Sequence, residues 1–256
     1  MFITGASSGI GAALAQHYAQ GGAILGLVAR RGAGEQPLAG AARVLSYPLD
    51  VNDGPALRAA ALDFLLAAGV PDIVIASAGI SVGTLTEHLE DHAVFERVIQ
   101  TNLLAMVATF QPFITPMRDA ALAERGFRPC LVGLASVAGV RGLPGSGAYS
   151  ASKAAVISYC ESLRVELRGS GVRVVTLAPG FIDTPMTAIN PYPMPFLMPA
   201  DAFARRAAQA IDRGVSQAVI PWQMGVVARL LRGLPNWLYD LAFARAQHKP
   251  RQGGPH

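Results

Sequence analysis

The chain has 256 residues, 52% of them apolar and 15% charged, enough to bury a substantial core and too apolar for a disordered chain. The net charge of +4 is carried mostly by arginines scattered along the sequence, with a modest excess after Arg205. No basic run is interleaved with aromatics, which argues against nucleic acid as a partner. Cys130 and Cys160 fall in apolar settings and read as buried free thiols, and the five histidines form no ligand pattern, so no metal site is expected. The N-terminus lacks the basic and apolar regions of a signal peptide. No run of about 18 uncharged apolar residues marks a membrane span, and a cytoplasmic protein is expected.

In chain order, strands are expected at Met1–Thr4, Ala23–Ala29, Arg43–Tyr47, Ile73–Ala76, Cys130–Ala135, Arg173–Ala178 and Ala218–Ile220. Helices are expected at Ile10–Gln20, Pro55–Ala68, Asp91–Met117, Tyr149–Arg168 and Pro199–Arg213. The strand runs are short and almost continuously apolar, which suits parallel strands covered on both faces. Their alternation with helices predicts right-handed crossovers, hence an α/β fold with a Rossmann-like, doubly wound parallel sheet in a single domain over 1–220. Two segments break the rhythm. Residues 184–199 hold five prolines and several large apolar side chains, and read as a loop over a pocket. Residues 221–256 form a C-terminal extension in which Val226, Val227, Leu230, Leu231, Leu234, Trp237, Leu238 and Leu241 recur at near-helical spacing. Arg229, Arg232, Arg245, Lys249 and Arg251 supply positive charge. Such a helix can lie on a membrane surface, or pack on its own domain or a partner subunit.

Thr4-Gly5-Ala6-Ser7-Ser8-Gly9-Ile10-Gly11 joins the first strand to the first helix. Glycines allow a tight turn and close backbone approach, and the helix N-terminus offers free N–H groups and partial positive charge to a pyrophosphate. The strand–turn–helix context is what gives such a glycine trio weight. After the second strand come Arg30 and Arg31. An acidic residue there would hold a ribose 2′-hydroxyl, whereas arginine pairs with a 2′-phosphate, so NADP(H) is favoured over NAD(H). Ser8, before Gly9, is not a base and adds no second indication.

Tyr149 and Lys153, four residues apart, share one face of a helix. A free phenol has a pKa of about 10, too high for efficient acid–base work near neutrality, and a fixed ammonium nearby would lower it. The chain has only two lysines, Lys153 and Lys249. Lysine, unlike arginine, is a compact charge with three donors.

With these residues in order, the chain resembles the classical short-chain dehydrogenase/reductase family over about residues 1–220. Thr4–Gly11 resembles its TGxxxGxG motif, and Asp50-Val51 its adenine-contacting pair. Ala76-Ser77-Ala78-Gly79 resembles its NNAG motif, with Ser77 in place of the second Asn. Asn102, Ser136, Tyr149 and Lys153 match the catalytic tetrad, and Pro179, Gly180, Ile182 and Thr184 resemble the segment that holds the nicotinamide.

The resemblance implies that Tyr149 moves the proton and Ser136 holds the substrate oxygen. It also implies that Lys153 lowers the Tyr149 pKa and bonds the nicotinamide ribose, while Asn102 holds a relay water through its backbone carbonyl. It further implies a homodimer or homotetramer built on the helices at Asp91–Met117 and Tyr149–Arg168. The chain starts only three residues before Thr4, where family members have several more, so a short or truncated first strand is expected.

The apolar residues Tyr192, Met194, Phe196, Leu197 and Met198, together with the tail, suggest a hydrophobic carbonyl or alcohol substrate. A 3-oxoacyl-carrier-protein reductase shares all these motifs. A non-catalytic NADP-binding sensor is the reading from another class, although it has no need of the Tyr149–Lys153 pair.

Overall fold

The computed structural model describes residues 1–31 and 38–251. Strands β1 (Phe2–Thr4), β2 (Ile24–Val28), β3 (Arg43–Tyr47), β4 (Ile73–Ala76), β5 (Cys130–Leu134) and β6 (Arg173–Pro179) alternate with helices. The helices are α1 (Gly9–Gln20), α2 (Gly54–Ala68), α3 (Asp91–Ile99), α4 (Ala105–Ala123) and α5 (Gly147–Glu166). Beyond β6 come the two-residue strands β7 (Ile182–Asp183) and β8 (Met198–Pro199), then α6 (Ala200–Arg213), β9 (Gln217–Ile220), α7 (Trp222–Gly233) and α8 (Asn236–Phe243).

Seven strands form one parallel sheet in the order β3-β2-β1-β4-β5-β6-β9. The order reverses between β1 and β4, and in open parallel sheets the ligand crevice lies at that switch point, beyond the carboxyl ends of the strands. Short as it is, β1 is fully paired, with Ile3 opposite Leu27 on one side and Ile75 on the other.

Each sheet face carries its own core. On one, Leu14 and Ala15 of α1 and Phe203, Ala207 and Ile211 of α6 pack on Ile3, Leu25 and Ile75. On the other, Leu57 and Phe64 of α2, Phe110, Phe113 and Met117 of α4, and Val156, Cys160 and Leu163 of α5 pack on Phe2, Val74 and Leu131. Continuous apolar runs in the strands follow from this two-sided coverage.

The helix expected at Asp91–Met117 continues to Ala123 and is interrupted by a π-helical turn, Gln100–Leu104. By length and composition alone this composite reaches that of a membrane span, but its Val98, Phe110, Phe113 and Met117 are fully buried inside the molecule. The C-terminal extension is two helices, not one. The N–H-less Pro235 begins α8 and breaks the apolar periodicity. Both helices are tied to the loop before α5. The Arg141 guanidinium donates to the carbonyl of Leu234 at 2.7 Å and lies 3.9 Å over the Tyr239 ring. Trp222, Val226 and Leu230 on α7 and Trp237 and Leu241 on α8 stay exposed.

Candidate active site

A cavity of about 510 Å³ opens at the carboxyl ends of β1, β2, β4, β5 and β6. Gly5, Ser7, Ser8, Gly9, Ile10 and Gly11 line it at one end, with Arg30, Arg31, Asp50 and Val51 beside them. Ser77, Ala78 and Gly79 form its middle, and Ser136, Tyr149, Lys153, Pro179, Gly180, Ile182 and Thr184 the far end. Of the residues expected in the site, Thr4 and Asn102 are not in its wall. Thr4 is buried under the turn, where its Oγ1 accepts from Ala78 N–H at 3.4 Å. Asn102 is wholly buried in the π-helical turn. The lining also includes Leu49, Asn52, Ile80, Val82, Thr101, Pro185, Met186 and Thr187, which carry no sequence signal of their own.

The glycine turn is built for close backbone approach. Gly5 has φ +70°, and a Cβ there would sit 2.8 Å from the Ala78 backbone. At Gly11 a Cβ would lie 2.2 Å from the Gly5 carbonyl oxygen, so any side chain would push the turn open. Ser8 caps α1 with extended backbone and no side-chain bond to the first turn, so the side chain leaves the helix-terminal N–H groups available to an anion. A pyrophosphate fits this cradle, and Arg30 and Arg31, both exposed, stand where β2 ends.

Ser136 N-caps the short 3₁₀ turn Val137–Gly139, its Oγ accepting from Ala138 N–H at 3.1 Å. That fixes the hydroxyl at the end of β5. Helix α5 begins two residues before Tyr149, which places the phenol in its first turn and Lys153 one turn later. The start of α5 is held by Thr84, whose Oγ1 accepts from Ala148 N–H at 3.3 Å.

Lys153 Nζ donates to the Leu134 carbonyl at 2.7 Å and lies 5.8 Å from the Tyr149 ring centroid. Burial pulls the ammonium down to about 8. Burial pushes the phenol of Tyr149 up, a hydrogen bond from Ser136 opposes that, and the nearby Tyr192 of the 184–199 loop adds to it. Ser136 favours the phenolate, and one of the three Lys153 donors is held on β5.

Asn102 acts as a strut in this structure. Its Oδ1 accepts from Ile80 N–H at 2.8 Å, and its Nδ2 donates to the Ile80 carbonyl and to Ser152 Oγ, both at 2.9 Å. Ser152 in turn donates to the Tyr149 carbonyl at 2.7 Å, so Asn102 links the β4 loop to the backbone of α5.

The loop over the pocket is closed at its base by β7 pairing with β8. Tyr192, Met194, Phe196, Leu197 and Met198 are not in the cavity wall. Phe196 and Leu197 face solvent, Met198 belongs to the core, and the loop reaches the cavity through Thr184, Pro185, Met186 and Thr187.

Comparisons agree with this geometry. The profile of the short chain dehydrogenase family matches residues 1–191. An uncharacterized oxidoreductase of Myxococcus xanthus is 40% identical over 250 residues, 95% of each chain. The 3-oxoacyl-[acyl-carrier-protein] reductase of Chlamydia trachomatis is 31% identical over 191 residues, covering 72% of this chain and 74% of that one. Among solved structures, the 3-ketoacyl-(acyl-carrier-protein) reductase of Brucella melitensis complexed with NADH superposes with a TM-score of 0.76 at 27% identity, over 86% of this chain and 95% of that chain. A short-chain dehydrogenase of Sphingobium yanoikuyae in complex with NADPH gives 0.74 at 25%, over 92% and 96%. The chain belongs to the short-chain dehydrogenase/reductase family and is an NAD(P)-dependent oxidoreductase.

Proposed function

We propose that the protein is an NADPH-dependent reductase of carbonyl compounds with a sizeable apolar body. The observation that carries the cofactor choice is the pair Arg30–Arg31 on the cavity wall at the end of β2, where a 2′-phosphate would find guanidinium donors at the position from which a carboxylate would hold a bare ribose. The glycine turn and the N-terminus of α1 would hold the pyrophosphate, Asp50 and Val51 the adenine, and Pro179, Gly180, Ile182 and Thr184 the nicotinamide end. Bound nicotinamide supplies or accepts the hydride.

The chain's own residues do the rest. Ser136 donates to the substrate oxygen and stabilises the charge that develops on it. Tyr149 delivers the proton to that oxygen, or removes it in the reverse direction. Lys153, anchored on Leu134, orients the cofactor ribose. Asn102 keeps the Ile80 loop and α5 in register, and its backbone carbonyl is the proposed seat of a relay water.

A screen of aliphatic and aromatic aldehydes and ketones with NADPH tests this reading. Preference for small sugars would overturn the apolar-substrate part. Reduction of a 3-oxoacyl thioester on a carrier protein is the second reading, favoured by the Chlamydia and Brucella relatives.

The reading extends to self-association through α4 and α5, whose Leu122 and Val165 are exposed. It also extends to a peripheral contact between an anionic membrane surface and the exposed apolar residues of α7 and α8, beside Arg229, Arg232 and Arg245.

A further inference from the structure

Near its C-terminal end the chain packs on Ser81 and Gly83, beside Ile80 and Val82 of the cavity wall. The Pro250 carbonyl accepts from Gly83 N–H at 3.0 Å, and a Cβ on Gly83 would lie 2.1 Å from the Lys249 carbonyl oxygen, so a glycine is what admits this strap. The strap is pinned by Arg251, whose Nε donates to Asp91 Oδ2 at 2.8 Å and whose Nη2 donates to Glu90 Oε1 at 2.9 Å. On its other side His248 packs against Gly145 in the loop before α5.

This placement carries Lys249 inward. Only 5% exposed, its Nζ donates to Ser81 Oγ at 3.1 Å and to the Met186 carbonyl at 3.2 Å. Ser81 lies between Ile80 and Val82 of the cavity wall, and Met186 also lines the cavity, so the ammonium ties two stretches of that wall together. Among the described residues no carboxylate pairs with it. A buried cation held only by neutral oxygens is incompletely compensated and favours an anion.

We infer that Lys249 is a substrate-recognition residue whose ammonium pairs with a carboxylate carried by the substrate at a distance from its reacting carbonyl. This rests on the carbonyl-reductase reading and narrows it from apolar compounds to amphiphilic oxo acids. Burial lowers the Lys249 ammonium to about 8, which fits a site that lacks its counter-charge. The sequence shows Lys249 only as one positive charge of an amphipathic tail, because its partners lie 168 and 63 residues away.

Calorimetric titration of the full chain with benzoate and with the neutral isostere benzamide, in the presence and absence of NADPH, tests the inference. Benzoate is expected to bind at least about tenfold more tightly than benzamide, because a charge-assisted hydrogen bond is stronger than a neutral one. Lys249→Met is expected to remove the difference and Lys249→Arg to retain part of it. Equal binding of the two probes by the wild-type chain would overturn the inference, and that arm needs no variant to fold. In turnover with NADPH, the ratio of kcat/KM for 4-carboxybenzaldehyde over methyl 4-formylbenzoate should exceed about ten and fall towards one in Lys249→Met. A ratio unchanged in that variant, with both rates reduced, would make Lys249 a structural clasp and overturn the inference. Titration of the cofactor-free chain reads Lys249 even if the cofactor assignment fails, so the two failures are distinguishable.

Discussion

Lys153 donates its 2.7 Å hydrogen bond to the Leu134 carbonyl, not to Tyr149, although the two side chains share a helix face one turn apart. Burial pushes the phenol up and a hydrogen bond from Ser136 opposes that, while the lysine is a positioned donor at the end of β5. Tyr149→Phe removes the proposed proton donor but leaves the glycine cradle and the arginines in place. Turnover should fall by about 10²–10⁴-fold while the cofactor Kd stays within about twofold, as measured by steady-state kinetics and fluorescence titration. Unimpaired turnover in this variant would remove Tyr149 from the chemistry, and no turnover in the wild type on any carbonyl would favour a sensor.

The buried Lys153 predicts a specific stability profile. Its folded pKa of about 8 lies below the unfolded 10.5, so between those values the unfolded chain holds more protons. Stability relative to Lys153→Met should rise as pH increases from 8 towards 10.5, and should be lost as pH falls through 8. The difference in Tm between the two proteins across that range measures it.

Gly11→Ala places a methyl group 2.2 Å from the Gly5 carbonyl oxygen, which is backbone and cannot swing away. The turn must open, and NADPH affinity is expected to drop by at least about tenfold, with a lower Tm because buried backbone is displaced. Ser8→Ala, which removes no capping bond, should be nearly neutral for stability.

Arg251 holds Asp91 below the usual carboxylate range by direct hydrogen bonding, aided by Leu85 N–H. The pair's contribution is complete above a pH of about 4 and is lost as pH falls through the lowered Asp91 value. Arg251→Ala should lower Tm at neutral pH, with the gap closing in acid. The strap should also become more open to proteolysis near residue 249.

Cys130 and Cys160 are wholly buried, and burial pushes their thiols up to about 12 and about 11. Neither should react with a thiol reagent at pH 8 in the native protein, and both should react after denaturation.

Much of this molecule was legible from the sequence because its signals are local. Continuous apolar runs located all seven strands of the sheet, and the glycine turn, Arg30 and the Tyr149–Lys153 spacing marked both ends of the cavity. What escaped was set by long-range geometry. The π-helical turn that buries Asn102 has no compositional mark. The Lys153–Leu134 bond depends on how α5 sits against β5. The prolines of residues 184–199 announced a loop without saying that Phe196 and Leu197 would face solvent, and the helical periodicity of the tail concealed the return of Lys249 and Arg251 to the β4 side.

Fluorescence titration of the purified chain with NADPH and, separately, NADH tests the central claim most directly. The account predicts NADPH binding at least about tenfold tighter than NADH, with the difference lost in Arg30→Ala. NADH binding as tight as or tighter than NADPH would contradict it.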